Sequence, residues 1–405
     1  MKRFLTFALL LFPLFFGGSF SHAIAGDKPE FVKDELLVKP KAWASKASAQ
    51  NALQKHGAQV LDQIQQVRIK RIRVPEHALE KVKTALMQSG RFSFVEEHGK
   101  GRGVYIPDDG SYGSQWHLPK IEAPSGWDMN SGSSSEPIAI IDSGVDPDHP
   151  DLAEKLIPGK NFLDGSFDTS DVLGHGTKVA GSAAAIGDNE IGVAGLAWSN
   201  PIMPLVVLSS ENWAYYSDIA SAIIHAVDNG VRVINISIAG SSSSSTLQTA
   251  VDYAWSKGAV IIAAAANSST STPYYPAACE HVVAVGATDS NDHLASFSNY
   301  GDWVDLCAPG TSIVTTNNGG GYGSSHGTSF SSPITAGVAA LMFSERPGLN
   351  NFELVSLLNG STDDLGDPGF DSIYGNGRVN AYKAVLAAGA FGESVSSPTN
   401  LRVLQ

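Results

Sequence analysis

Cysteine is nearly absent: Cys279 and Cys307 are the only two in 405 residues, so no disulfide framework holds this chain together. Both sit in apolar settings ("YPAACEHVVAV" and "WVDLCAPG"), which leaves open buried thiols or a single bridge. Long apolar runs are missing as well. "FLTFALLLFPLFF", behind the basic "MKR", is too short and wrongly flanked for a stable span, and Ala23-Ile24-Ala25 is a small-residue cleavage signal. Residues 1–25 therefore read as a signal peptide, with an extracellular or periplasmic product and no stable membrane anchor. Basic charge is scarce too, but only in one part. Residues 26–105 hold 15 Lys/Arg against 9 Asp/Glu, whereas residues 106–405 hold 10 against 31. Such an acidic surplus argues against nucleic acid as a partner of the larger part. The change of sign marks a boundary near residue 105 and suits a basic segment docking on an acidic one.

What is present falls into two patterns. In the smaller part, "DELLVKP" and "VRIKRIRVP" alternate apolar and polar side chains as half-buried strands do. "HALEKVKTALMQSG" puts Leu79, Val82, Leu86 and Met87 at helical spacing and stops at Gly90. This is a small α+β domain. "GKGRGVYIPDDGSYG" then makes an exposed, glycine-rich link that proteases would nick. Beyond it, "PIAIID", "VRVINISIAG", "GAVIIAAAAN" and "HVVAVGAT" are short Val/Ile/Ala runs, as expected of parallel strands buried on both faces. Between them "SDIASAIIHAVDNG" carries one apolar stripe, with Ser217 as its expected N-cap and Gly230 as its stop. The expected fold is α/β, a doubly wound parallel sheet, and such sheets form their sites at the carboxyl ends of strands.

Four residues stand at such ends. Asp142 follows "PIAII"; His175 opens a small-residue helix in "GHGTKVAGSAAA"; Asn267 ends "IIAAAAN". Ser329, in "GTSFSSPITAGVAALMF", stands at or just before a buried helix that has Pro333 in its first turn. There, free N–H groups favour developing negative charge. Singly, each has an ordinary reading as a turn former or cap, and Ser331 and Ser332 fit an N-cap better than Ser329 does. Together, in the order Asp, His, amide, Ser, they form a constellation for nucleophilic catalysis.

With these motifs the sequence resembles the secreted subtilisin family of serine endopeptidases, in its thermitase-like bacterial branch. "AIIDSGVDPDHPDL", "GHGTKVAG", "AAAANSS" and "GTSFSSP" carry the likeness, supported by "QWHLPKIEAPSGWD", "NEIGVAGLAW" and "GNGRVNAYKAV". The resemblance implies a subtilisin-type catalytic domain over residues 106–390, an inhibitory propeptide over 26–105 and a tail over 391–405. It implies peptide-bond hydrolysis by Ser329, His175 and Asp142 with Asn267 in the oxyanion hole. Substrates would be proteins and peptides, the chain's own propeptide an intramolecular inhibitor cut off within His98–Asp109, and the mature enzyme a monomer. Substrate-binding residues carried over are Tyr216, Ser237, Ile238, Ala239, Ala264, Ala265 and Ala266. Alanine stands at 239 and 266 where the family usually has glycine, so a narrowed pocket for small or medium apolar side chains is expected. A structural calcium ion is implied at Asp151, Asn189 and the carbonyls of Ile191 and Val193, completed by Asp108 or Asp109 and Gln115. His326 is expected to be a solvated loop residue away from the working face of Ser329. The alternative, a catalytically inactive binding protein that keeps the fold, is disfavoured because all four positions are filled.

Overall fold

The computed structural model describes residues 31–100 and 106–391, which fall into two compact units divided between residues 103 and 104. The expected signal peptide, part of the expected cleavage region and nearly all of the tail lie outside the described residues.

The first unit contains β1 (Phe31–Pro40), α1 (Lys46–Lys55), β2 (Gln59–Ile64), β3 (Ile69–Arg73), α2 (Leu79–Gln88) and β4 (Phe92–Gly99). Its four strands pair antiparallel in the order β2-β3-β1-β4. Leu36, Val38, Leu53, Ile72, Leu79, Val82, Leu86 and Phe92 form its core. Met87, expected on the buried stripe of α2, is instead exposed. At 100° per residue it lies around the helix from Leu79, Val82 and Leu86, and the stripe closes without it.

The second unit opens with two short helices, α3 (His117–Lys120) and α4 (Ala123–Trp127). Then come β5 (Ile138–Asp142), β6 (Lys160–Asn161), α5 (His175–Ala184), β7 (Ile202–Val206), α6 (Tyr216–Asp228), β8 (Val233–Ile236), α7 (Ser245–Ser256) and β9 (Val260–Ala264). It continues through β10 (Val282–Thr288), β11 (Leu306–Pro309), β12 (Ile313–Asn317), β13 (Gly321–Ser325), α8 (Thr328–Glu345), α9 (Asn351–Gly360) and α10 (Ala381–Ala390). Seven strands form one sheet in the order β11-β10-β9-β8-β5-β7-β6, with every pair parallel.

Strand alternation splits the core in two. Ile138, Ile140, Val233, Val260 and Ile262 face one side, where α5 and α8 pack; Ala139, Ile141, Ile234, Ile236 and Ile261 face the other, beneath α6 and α7. Because both faces are covered, the strands read as continuous apolar runs rather than alternating ones. Strand order reverses at β5, which has β8 on one side and β7 on the other, so a crevice opens at the carboxyl end of β5. Asp142 is its last residue.

Two local expectations change. Helix α6 begins at Tyr216 with Tyr215 at the N-cap and no side-chain cap, so Ser217 lies inside the first turn. Gly230 does follow its end, in a left-handed conformation at φ +82°. Helix α8 starts at Thr328, so Ser329 lies within its first turn and Pro333 lies beyond that turn, inside the helix. Within that early stretch Phe330, Ser331 and Ser332 are already buried. Both cysteines are buried free thiols, and burial pushes Cys279 up to about 11 and Cys307 up to about 12. Among the described residues no helix is long and apolar enough to cross a membrane.

Candidate active site

Asp142 is wholly buried at the end of β5. Its Oδ1 accepts the Ser143 N–H at 2.8 Å, and Oδ1 and Oδ2 lie 2.8 and 3.0 Å from His175 Nδ1. The approach of α5 to the strand end depends on Gly176. A Cβ there would lie 2.1 Å from the Gly144 carbonyl and 3.1 Å from Asp142 Cβ. Burial pulls the His175 imidazolium down, but the charge and hydrogen bond of Asp142 outweigh it, so the pKa is raised.

A residue that sequence reasoning missed, Asp171, holds the start of α5. It accepts from the N–H groups of Leu173, Gly174 and Thr177, from Thr177 Oγ1 and from Ser143 Oγ. The local signal was faint: the N-cap of α5 is Gly174, without a side-chain cap, and Asp171 lies three residues ahead of it. At the far end of α5, the buried Lys155 donates from Nζ to the carbonyls of Ala184 and Ala197.

Ser329 is the second residue of α8, so its N–H has no acceptor within the helix. Pro333 has no N–H to give back to the Ser329 carbonyl. Ser237 Oγ fills that vacancy at 3.0 Å; Asn235 Nδ2 stands 3.0 Å from the same oxygen, and Ser332 Oγ donates to Asn235 Oδ1 at 2.6 Å. Asn235 and Ser332 are wholly buried. Asn235 was also missed, although an amide inside the apolar run "VRVINIS" is the kind of buried polar group that demands partners. Ser331, expected as a cap, instead donates to the carbonyls of Ala308 and Pro309. Ser329 Oγ points to the Ser237 carbonyl at 3.4 Å, a long contact that leaves the hydroxyl free to turn.

Asn267 Oδ1 accepts from the N–H and the Oγ1 of Thr328 at 2.9 and 3.0 Å. With its carbonyl committed there, the amide Nδ2 remains for the cleft.

His175, Ser329 and Asn267 line one cleft of about 1000 Å³, together with Tyr216, Ser237, Ile238, Ala239, Ala264 and Ala266. Ala265 does not line it: it is buried, and its N–H bonds the Val285 carbonyl. Ala266 holds a left-handed φ of +78°, unusual for a residue with a Cβ. Tyr216 Oη donates to the Ser242 carbonyl at 3.0 Å, and burial raises its pKa. His326 departs from expectation, because it lines the same cleft. Its Nδ1 accepts the Ser312 N–H at 3.0 Å, closing the end of the β12–β13 ribbon that leads into α8.

The residues expected to hold calcium come together around the 188–194 loop that follows α5. Asp151 accepts from Asn189 Nδ2 and the Val193 N–H, and Asn189 Oδ1 accepts from the Ile191 N–H. Gln115 bonds Ala194 through both ends of its amide. Asp108 is tied to the Glu190 N–H. The neighbouring Asp109 is buried, its Oδ1 has no partner, and burial pushes its carboxyl up to about 6. Gly192 leaves space, since a Cβ would sit 2.1 Å from Asp151 Oδ2. The unpartnered Asp109 oxygen leaves room for a cation, but among the described residues no three His, Cys, Asp or Glu side chains gather there, so a cation would rely on amide and backbone oxygens as well.

Comparison with known proteins points one way. A family model described as "Subtilase family" matches residues 134–377, and one described as "Fervidolysin N-terminal prodomain" matches residues 21–98. A thermophilic serine proteinase from a Bacillus species is 39% identical over 89% of this chain and 90% of its own. Thermitase of Thermoactinomyces vulgaris is 41% identical over 69% of this chain and 99% of its own. A solved structure of proteases from Pseudoalteromonas arctica superposes with a TM-score of 0.66 at 33% identity, covering 70% of this chain and all of that one.

The Ser237–Ser329 contact gives a stability test. Ser237→Ala should leave the Ser329 carbonyl without a donor and cost about 1–3 kcal/mol in urea unfolding. Adding Pro333→Ala supplies an N–H for that carbonyl and should recover part of the loss. Strictly additive changes in the double variant would contradict this pairing.

Proposed function

The chain belongs to the subtilase family as a subtilisin-type serine protease with a prodomain, and from that premise we propose that Ser329, His175 and Asp142 are its catalytic residues. The observation that carries this reading is the His175–Asp142 pair at 2.8 Å opening onto the cleft that Ser329 and Asn267 share. In the proposed reaction, the Ser329 hydroxyl turns from the Ser237 carbonyl and attacks the scissile carbonyl carbon. His175 Nε2 takes its proton while Asp142 steadies the imidazolium. Asn267 Nδ2 and the Ser329 N–H hold the oxyanion. The imidazolium returns the proton to the leaving amine, and water repeats the sequence on the acyl-enzyme. Extended substrate would lie along Ser237, Ile238 and Ala239 as an added strand.

We also propose the maturation route. Residues 1–25 direct export to an extracellular or periplasmic setting, and residues 26–105 template folding, block the cleft and are then removed by self-cleavage. Slow pairing of a parallel sheet gives a physical need for such a template. The mature enzyme, acting on extracellular proteins, would be a monomer.

A fluorophosphonate probe tests the assignment. It should label the active chain at Ser329, Ser329→Ala should lose labelling and hydrolysis, and Asn267→Leu should lower kcat by about 10²–10³, the magnitude known for this donor in subtilisin itself. A chain that is inert to the probe would instead be a binding protein on a protease fold.

Ala239 and Ala266 narrow the pocket for the residue before the cut, so peptides with Ala or Leu there should be cut faster than the Phe analogue. Ala266→Gly relieves the left-handed backbone and widens the pocket, and should raise the Phe rate about tenfold relative to Leu. An unmoved ratio sinks the idea.

Calcium is proposed at Asp109, Asp151, Asn189 and Gln115, with the Ile191 and Val193 carbonyls and Asp108 nearby; it would tie the 189–193 loop to the segment before α3. A chelator should lower the melting temperature, and Asp151→Asn should already be lowered and no longer respond. Identical melting with and without chelator would remove the site.

A further inference from the structure

The cleft carries an electrostatic anomaly. The chain from residue 106 onward has 31 acidic side chains against 10 basic ones, yet none of the residues lining the cleft is Asp or Glu. Lys178 and His326 line it instead, beside His175. Lys178 is three residues after His175 in α5, on the same face of the helix one turn on. Among the described residues it has no carboxylate within ion-pairing distance, a state it shares in this unit with Lys155, Lys160, Lys257 and Arg346, but of these only Lys178 lines the cleft. The acidic groups behind His175 are spent: Asp142 on the imidazole and Asp171 on the start of α5.

Lys178 and the alanine wall belong to different elements of the fold. Ala239 follows β8 and Ala266 follows β9, whereas α5 leans on β12, where Thr315 Oγ1 donates to the Lys178 carbonyl at 2.9 Å and Thr316 Oγ1 to the Thr177 carbonyl at 2.7 Å. The ribbon from β12 to β13 ends at His326. Because His326 Nδ1 is an acceptor for the Ser312 N–H, its proton is on Nε2, a donor free for the cleft. An unpaired ammonium and an N–H donor thus line the cleft from the side of the β12–β13 ribbon, whereas the alanines line it from the segments after β8 and β9.

We propose that Lys178, aided by His326, recognises a carboxylate side chain in the first two substrate residues after the scissile bond. This rests on the protease reading above and adds a preference to it. The acidic domain repels anionic substrates over distance, so the preference is local and must be read at constant net charge.

The test uses internally quenched peptides identical in composition, with one Glu either just after the cut or at a remote position, and matched peptides with Gln or Lys just after the cut. Wild type should cut the Glu-adjacent peptide about fivefold faster in kcat/KM than its Gln counterpart or its remote isomer, and the Lys peptide slowest. High salt should shrink the difference, Lys178→Met should erase it and Lys178→Arg should keep it. Equal rates for the two Glu isomers in wild type overturn the proposal without any variant, as does a preference that survives Lys178→Met. If the Gln peptide is cut but shows no partner effect, only this inference falls; if no peptide is cut, the protease assignment falls first.

Discussion

A carboxylate sealed from water at the end of a parallel strand is the constraint on which the rest of the site depends. Asp142 has no solvent to satisfy it, so its lone pairs must be met from within. The Ser143 N–H and the His175 ring meet them, and to deliver that ring the start of α5 must come almost into contact with the strand. Gly176 permits the approach, Asp171 ties down the first turn, and Lys155 holds the last carbonyl of the helix. The imidazole is then polarised by a group that burial keeps close and unscreened.

The Ser329 side is built on the opposite principle, a vacancy filled from outside the helix. Pro333 takes one backbone donor from α8, and the released carbonyl belongs to Ser329. Ser237, Asn235 and Ser332 link that carbonyl to the interior of β8, so the first turn of α8 is fastened to the sheet beside the cleft. Asn267, by spending its carbonyl on Thr328, aligns its amide against the same turn. A helix end, a strand end and a loop are thereby held in one frame by short-range bonds, each with its donor and acceptor accounted for.

Much of this was legible in the sequence. Parallel strands buried on both faces announce themselves as unbroken Val/Ile/Ala runs, and Asp142, His175, Asn267 and Ser329 stand at the ends of such runs or at helix starts. What was illegible involves partners far apart in the chain. Nothing local says that Asn235 will face Ser332, that Asp171 will bond Ser143, or that His326 will turn into the cleft by bonding Ser312. The start of α8 was misjudged because proline usually sits in a first turn, and here tertiary bonds replaced what the proline removed. The residues proposed to hold calcium came from the resemblance, and which of Asp108 and Asp109 turns inward depended on burial, which sequence does not show.

In the His175–Asp142 pair, the carboxylate must outweigh the cost of burying a charged ring. The most direct measurement is a ring-nitrogen NMR titration of His175 in the Ser329→Ala chain, with and without Asp142→Asn. His175 should hold its proton to a higher pH than an ordinary histidine and lose that advantage when Asp142 is neutralised. A ring that titrates at or below the ordinary value with Asp142 intact would contradict it.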